Sequence, residues 1–267
     1  MALTFCSLAS GSSGNCQYIA SENTGLLLDA GLSGKYITQA LEHINADIDK
    51  IKGILVTHEH SDHVKAVGIM MRKYGLKVYA TEKTWEAMEP KMGKVNLDNV
   101  EIIKKDVKFS IGDIEIDPFP VSHDAADTVG YAFEHVDGKV SVVTDLGYVP
   151  IELLTRVMDC DLLMMESNHN VQMLESGKYP YFLKRRILSD KGHISNETAA
   201  ENIVRAIQSG NRISHVLLGH LSKENNLPEL AYETVKGIIE ENDIKIGEDI
   251  SLDLTYRDRV GKIYRMG

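Results

Sequence analysis

Thr57-His58-Glu59-His60-Ser61-Asp62-His63 follows directly on the apolar run Gly53-Ile54-Leu55-Val56. An apolar run of that length reads as a buried strand, and the residues from about Val64 to Tyr74 read as a helix. Four potential ligands therefore fall within six residues, 58 to 63, where a strand gives way to a helix. Imidazole suits zinc and other divalent first-row metals, and a carboxylate adds charge neutralisation. A helical zincin needs HExxH, two histidines one turn apart on one face. Here the fourth position after His58 is Asp62, so that pattern is absent. Three histidines in a turn can instead point at two neighbouring ions.

The same layout recurs along the chain. Leu26-Leu27-Leu28 runs into Asp29, Ser141-Val142-Val143 into Asp145, Leu162 to Met165 into Glu166, and Val216 to Gly219 into His220. His123 stands after the strand-like run ending Pro120-Val121. Ligand sites collect at strand ends of layered α/β proteins, because loops converge there while strands hold them rigid. Short β-rich runs open the chain, several more lie between Val100 and Val143, and helices alternate with strands from Pro150 onward. A last β segment, Ser251 to Arg265, closes it, and with no visible linker or internal repeat the chain reads as one α/β domain over residues 1–267.

LLLDAG, THEHSDH, VSH, VTD and LLGHLS, in that order, resemble the motifs of the metallo-β-lactamase superfamily. The resemblance implies a four-layer αββα sandwich with two metal ions. His58, His60 and His123 resemble the ligands of the first ion; Asp62, His63 and His220 those of the second, with Asp145 as the bridging carboxylate. Asp29 resembles the aspartate that supports the ligand turn from behind, as outer carboxylates orient ligand histidines. Two ions about 3.5–4 Å apart can share a water, lower its pKa and stabilise displacement at phosphorus. A metal-bridging hydroxide is then the expected nucleophile, with Asp62 and Asp145 the carboxylates of the reaction centre.

Gly192-His193-Ile194-Ser195-Asn196 opens the helical pattern that runs on to Gln208. It resembles the histidine-headed helix of the phosphodiesterase and tRNA-processing branch, and Glu166 resembles the glutamate that partners that histidine. A helix start beside a histidine suits an anion. The pair is expected to stabilise charge on phosphate and to protonate the leaving oxygen. At finer grain SLASGSSGNCQYI, SHDAADTVGYAF, ESNHN, KYPYFLKRRILSDKGHISNETAA and LLGHLSKENNLPELA resemble the YycJ/VicX (WalJ) family of Gram-positive bacteria. That family is associated with exonuclease activity on DNA, so the resemblance implies hydrolysis of nucleic-acid phosphodiesters from an end, with DNA preferred over RNA. No long insertion separates Asp145 from His193, unlike the related β-CASP nucleases.

His169 and Asn168 lie close to Glu166 and are candidates for the substrate channel. Tyr179, Tyr181 and Phe182 stand among Lys178, Lys184, Arg185 and Arg186, a mixture that suits stacking and phosphate pairing on a single strand; Lys184 and Arg185 are the candidate substrate contacts. Charge runs are also commonly plain surface faces. A net charge of −10 and a pI near 5.5 disfavour non-specific nucleic-acid binding on average. Cys6, Cys16 and Cys160 form no CxxC pair, which points to a reducing, cytoplasmic setting rather than a disulfide framework. No apolar stretch approaches the ~20 residues needed to span a bilayer, so no membrane association is expected. Zinc, manganese and iron all suit such ligands. The alternatives are a small-molecule hydrolase of the same fold, acting on a cyclic phosphodiester, lactone or thioester, and a non-catalytic regulatory protein. Oligomeric state is not legible.

Overall fold

The computed structural model describes residues 2–157 and 159–267, which divide into two compact units, each discontinuous in sequence. Unit 1 comprises residues 2–120, 125–138 and 256–267; unit 2 comprises 121–124, 139–157 and 159–255.

Unit 1 begins with strands β1 (Leu3–Ala9), β2 (Cys16–Ala20) and β3 (Gly25–Leu28). Helix α1 (Gly34–His43) leads to β4 (Ile51–Leu55), α2 (Ser61–Val64), α3 (Val67–Tyr74), β5 (Lys77–Thr81), α4 (Glu82–Met92) and β6 (Val100–Ile103). Strands β7 (Phe109–Ile111), β8 (Ile114–Pro120) and β9 (Val129–His135) follow as an antiparallel run. With the chain's last strand, β14 (Ile263–Met266), the main sheet reads β14-β1-β2-β3-β4-β5-β6, antiparallel as far as β3 and parallel from there on. β4 and β5 are mostly buried, with Lys52 and Lys77 exposed, and β6 at the edge is the least buried. Ile37 and Leu41 of α1 and Val67, Met70 and Met71 of α3 share one buried core with Leu27, Ile54 and Val78. Helix starts are fixed locally: Ser33 Oγ accepts from Tyr36 N–H and Thr81 Oγ1 from Thr84 N–H, each meeting an amide that the helix leaves unpaired. The helix expected from about Val64 to Tyr74 is α3, which starts at Val67; the separate short helix α2 carries Asp62 and His63, with His58 and His60 just ahead of it.

Unit 2 contains β10 (Gly138–Val143), helix α5 (Ile151–Val157), β11 (Cys160–Glu166), helices α6 (Val171–Ser176), α7 (Tyr181–Ile187) and α8 (Asn196–Gln208), strand β12 (Ile213–Gly219), helix α9 (Pro228–Glu241) and β13 (Ser251–Leu254). Strands β10, β11, β12 and β13 are parallel and in that order. Their C-terminal ends deliver Asp145, Glu166 and His220 to one edge of this unit. The final β segment read from the sequence divides: β13 joins β12 in unit 2 while β14 joins β1 in unit 1. Among the described residues no helix is long and apolar enough to cross a membrane.

Candidate active site

The His-rich turn of unit 1 is held from behind by Asp29. His63 Nδ1 lies 2.7 Å from Asp29 Oδ2, and Thr57 donates its backbone N–H (2.9 Å) and its hydroxyl (3.0 Å) to the same carboxylate. Thr57 Oγ1 in turn lies 3.0 Å from His58 Nδ1. With their Nδ1 atoms so occupied, His58 and His63 carry their remaining lone pairs on Nε2. Burial pushes the Asp29 carboxyl above its ordinary value, an effect only partly offset by the His63 charge and by hydrogen bonds from His63 and Thr57. His58 Nε2 and His60 Nδ1 stand 3.1 Å apart. Two imidazole nitrogens bound tetrahedrally to one zinc at ~2.0–2.1 Å lie about 3.3 Å from each other, so this spacing fits a shared cation. His63 Nε2 lies 3.6 Å from Asp62 Oδ2 and 3.1 Å from Asn15 Nδ2.

At Asp62 the turn is packed directly against backbone. Gly31 packs so closely that a Cβ there would sit 1.6 Å from the Asp62 carbonyl oxygen. Asn15 N–H donates to that same carbonyl (2.8 Å), and Gly31 N–H donates to the Asn15 carbonyl (2.8 Å). Only glycine permits this approach. Spacing assigns neither Asn15 nor Thr57 a contact with the ligand turn. Both sit inside motifs, SLASGSSGNCQYI and THEHSDH, but the signal of their role is a contact with backbone and ring atoms that spacing does not encode.

In unit 2 the centre is Glu166, fully buried at the end of β11. Its Oε1 accepts from His193 Nδ1 and from His220 Nδ1, both at 2.8 Å. Its Oε2 accepts the backbone N–H of Leu146 (3.1 Å) and of Ile194 (3.3 Å). Burial pushes this carboxyl upward, but the two imidazoles, His193 foremost, outweigh it and hold the pKa well below the usual carboxylate range. Asp145 Oδ1 lies 3.5 Å from His220 Nδ1, 3.8 Å from His123 Nε2 and 3.9 Å from His193 Nδ1. One donor atom each from Asp145, Glu166, His193 and His220 falls within 4.8 Å of the others, a set that could hold a cation. Asp29, Asp145 and His220 all take left-handed backbone conformations, at φ 61°, 59° and 55°. Asn45, Asp106, Asp159 and Asp243 share this shape away from the site, as aspartate and asparagine do readily, which leaves His220 as the unusual case.

His193 is tied to its surroundings through the backbone. Its N–H donates to the Ile187 carbonyl (2.9 Å), the Gly192 carbonyl lies 3.2 Å from His123 Nδ1, and Asp124 N–H donates to the Lys191 carbonyl (3.1 Å). Gly147 N–H donates to the Ser122 carbonyl (3.0 Å), and Ser122 Oγ donates to the Asp190 carbonyl (2.6 Å). The loops carrying His123, Asp145 and His193 are thus laced together. Burial lowers the His123 pKa despite Asp145 beside it.

The remaining candidates occupy different settings. Asn168 is buried, and its Nδ2 donates to the His220 carbonyl at 3.0 Å, bracing the ligand strand end. His169 is 1% exposed and neither ring nitrogen has a hydrogen-bond partner among the described residues. Burial takes its pKa down to about 4. Lys184 Nζ donates to the carbonyls of Glu175 and Gly177, both at 2.7 Å, and so clamps the end of α6. Arg185 is exposed.

Residues 24–220 match the β-lactamase superfamily domain. The chain is 45% identical to exodeoxyribonuclease YycJ of Bacillus anthracis over 93% of each chain. It is 46% identical to exodeoxyribonuclease WalJ of Streptococcus pneumoniae, over 92% of this chain and 91% of the relative. In structure it resembles the metallo-β-lactamase fold protein YhfI of Bacillus subtilis, with a TM-score of 0.74 at 13% identity, covering 99% of this chain and all of that one. The expected α/β sandwich is therefore the fold, and a silent regulatory role gives way to that of a metal-dependent hydrolase. The chain belongs to the metallo-β-lactamase superfamily and, within it, to the YycJ/WalJ family.

Proposed function

We propose that the protein hydrolyses phosphodiester bonds at the ends of DNA, with His58, His60, Asp62, His63, His123, Asp145 and His220 as ligands of two divalent ions. The observation that carries this reading is the Glu166 cluster, in which one buried carboxylate fixes two imidazoles around Asp145. Near-full-length similarity to two proteins named exodeoxyribonucleases supports the substrate. The donor chemistry fits the ions: paired nitrogens 3.1 Å apart in unit 1, and in unit 2 the Asp145 carboxylate 3.8 Å from His123 Nε2. Bound there, a pair of divalent ions supplies charge neutralisation and a water of lowered pKa for attack at phosphorus.

The protein's own groups then have distinct tasks. Glu166 holds His220 by Nδ1 and so turns its Nε2 outward as the donor atom. It holds His193 in the same way, but the His193 side chain is 19% exposed where those of His123 and His220 are 1% and 2%. His193 Nε2 is thus the imidazole nitrogen of this cluster that meets substrate. It donates to a phosphoryl oxygen and returns a proton to the leaving oxygen, while Glu166 stabilises the charged ring. End-labelled oligodeoxynucleotides incubated with purified protein and zinc, manganese or iron test the reading. Stepwise release of mononucleotides is expected; no cleavage with any of the three overturns it.

A further inference from the structure

Helix α7 has no part in the ligand set, yet the laced loops join it to His193. It exposes two adjacent rings, Tyr181 at 76% and Phe182 at 74%. Around them the charge departs from that of the chain as a whole. Residues 177–191 carry Lys178, Lys184, Arg185, Arg186 and Lys191 against the single acid Asp190, in a protein of net charge −10. Lys184 is engaged with carbonyls and Arg186 pairs with Asp124, so these two fix the helix in place. Lys178, Arg185 and Lys191 remain exposed on the surface. Arg185 stands four residues from Tyr181 and three from Phe182, which puts it on the helix face that both rings flank. Exposed neighbouring aromatics are unusual on a soluble protein without a partner. Flat rings with an arginine between them and lysines at either side complement one class of ligand in particular, a flexible polyanion carrying flat bases.

We propose that Tyr181, Phe182 and Arg185 form a stacking platform for unpaired bases near the end of the DNA strand whose phosphate meets His193. The proposal rests on the hydrolase reading for its substrate and extends it to the unpaired character of the bound end. The spacing is suitable. Five residues of helix from Phe182 to Ile187 rise about 7.5 Å, and the Ile187 carbonyl accepts the His193 N–H. At about 3.4 Å per stacked nucleotide, that length of helix corresponds to about two bases, which makes the second and third positions from the end the ones to probe. Because both rings are exposed and the helix is pinned by Lys184 and Arg186, a strand can dock without any rearrangement of the protein.

The test separates binding from hydrolysis. Metal-free protein in chelator is titrated into an unpaired oligodeoxynucleotide carrying 2-aminopurine at the second or third position from its end. Stacking quenches the fluorophore, so quenching is expected with the native protein. The Tyr181→Ala/Phe182→Ala variant is expected to bind at least ~10-fold more weakly, given what each stacked base contributes. Tyr181→Trp/Phe182→Trp restores binding, and Arg185→Ala flattens the salt dependence by about one phosphate contact. Turnover of bis(p-nitrophenyl) phosphate by the metal-loaded alanine variant stays within two-fold of native. Unchanged oligonucleotide affinity in the double alanine variant overturns the platform. So does a variant whose only lost property is adhesion to anionic vesicles or self-association in sedimentation. Quenching that depends on the rings in a protein that cleaves no DNA leaves the platform standing and removes the hydrolase reading instead.

Discussion

The His-rich turn of unit 1 and the Glu166 cluster of unit 2 orient imidazoles by opposite strategies. In unit 1 the donors are neighbours in sequence, and Asp29, hydrogen-bonded to His63 and twice to Thr57, steadies them; burial raises its pKa by more than His63 and Thr57 lower it. In unit 2 the donors arrive from positions far apart in the chain, and one carboxylate with four hydrogen-bond donors gathers them; its net pKa falls. A local turn thus needs a carboxylate on one imidazole only, whereas a set assembled by topology shares one carboxylate between two.

Removing a proposed ligand from either region should have the largest effect. Asp145→Ala and His60→Ala are each expected to cost more than the ~10–100-fold typical of losing an outer partner, in both metal content and DNA cleavage. Elemental analysis beside kinetics measures this, and full metal occupancy in either variant breaks the ligand assignment. The supporting carboxylates come next. Glu166→Gln removes the hub for His193 and His220 together, so it should lower metal affinity and maximal rate, each by about 10–100-fold. Asp29→Asn should lower affinity by a similar factor with the rate at saturating metal largely kept. A larger rate loss from Asp29→Asn than from Glu166→Gln would dissolve the contrast drawn above.

Stability offers a finer probe. His169 has its folded pKa lowered to about 4 from an ordinary 6.5. Between those values the unfolded chain binds a proton that the native one refuses, so stability falls as pH drops through that window and levels out below it. The dependence of Tm on pH between about 7 and 4 should flatten in His169→Gln; an unaltered slope removes His169 as its source. The smallest effect concerns the thiols. Burial raises Cys6 and Cys160 to about 12 and Cys16 well beyond its ordinary value. Native protein at pH 8 should leave all three unreacted with a disulfide reagent and titrate them only when unfolded.

What the sequence revealed follows the same division. The turn from His58 to His63 was legible because its donors are contiguous and lie between an apolar run and a helical pattern. Asp145, Glu166 and His220 were legible as strand ends. The Glu166–His193 and Asp29 contacts followed from the family resemblance alone, and other contacts fixed by packing escaped. The shared Oε1 of Glu166 is invisible to spacing, since His193 and His220 belong to different elements. Lys184 read as a substrate cation, yet two carbonyls near the end of α6 draw its ammonium inward. The terminal β segment looked continuous because nothing in Tyr256 to Lys262 signals that the chain leaves one unit for the other. Asn168 and His169 read as channel lining from their nearness to Glu166, but both are buried.

The left-handed residues at the strand ends have a consequence for molecular evolution. Asp29, Asp145 and His220 hold a backbone shape that glycine adopts at no steric cost, so chemistry and heat tolerance pull in contrary directions at those places. A library screened only for survival at high temperature should admit asparagine there before glycine, since it takes the same shape and keeps an acceptor oxygen, yielding tolerant but less active descendants.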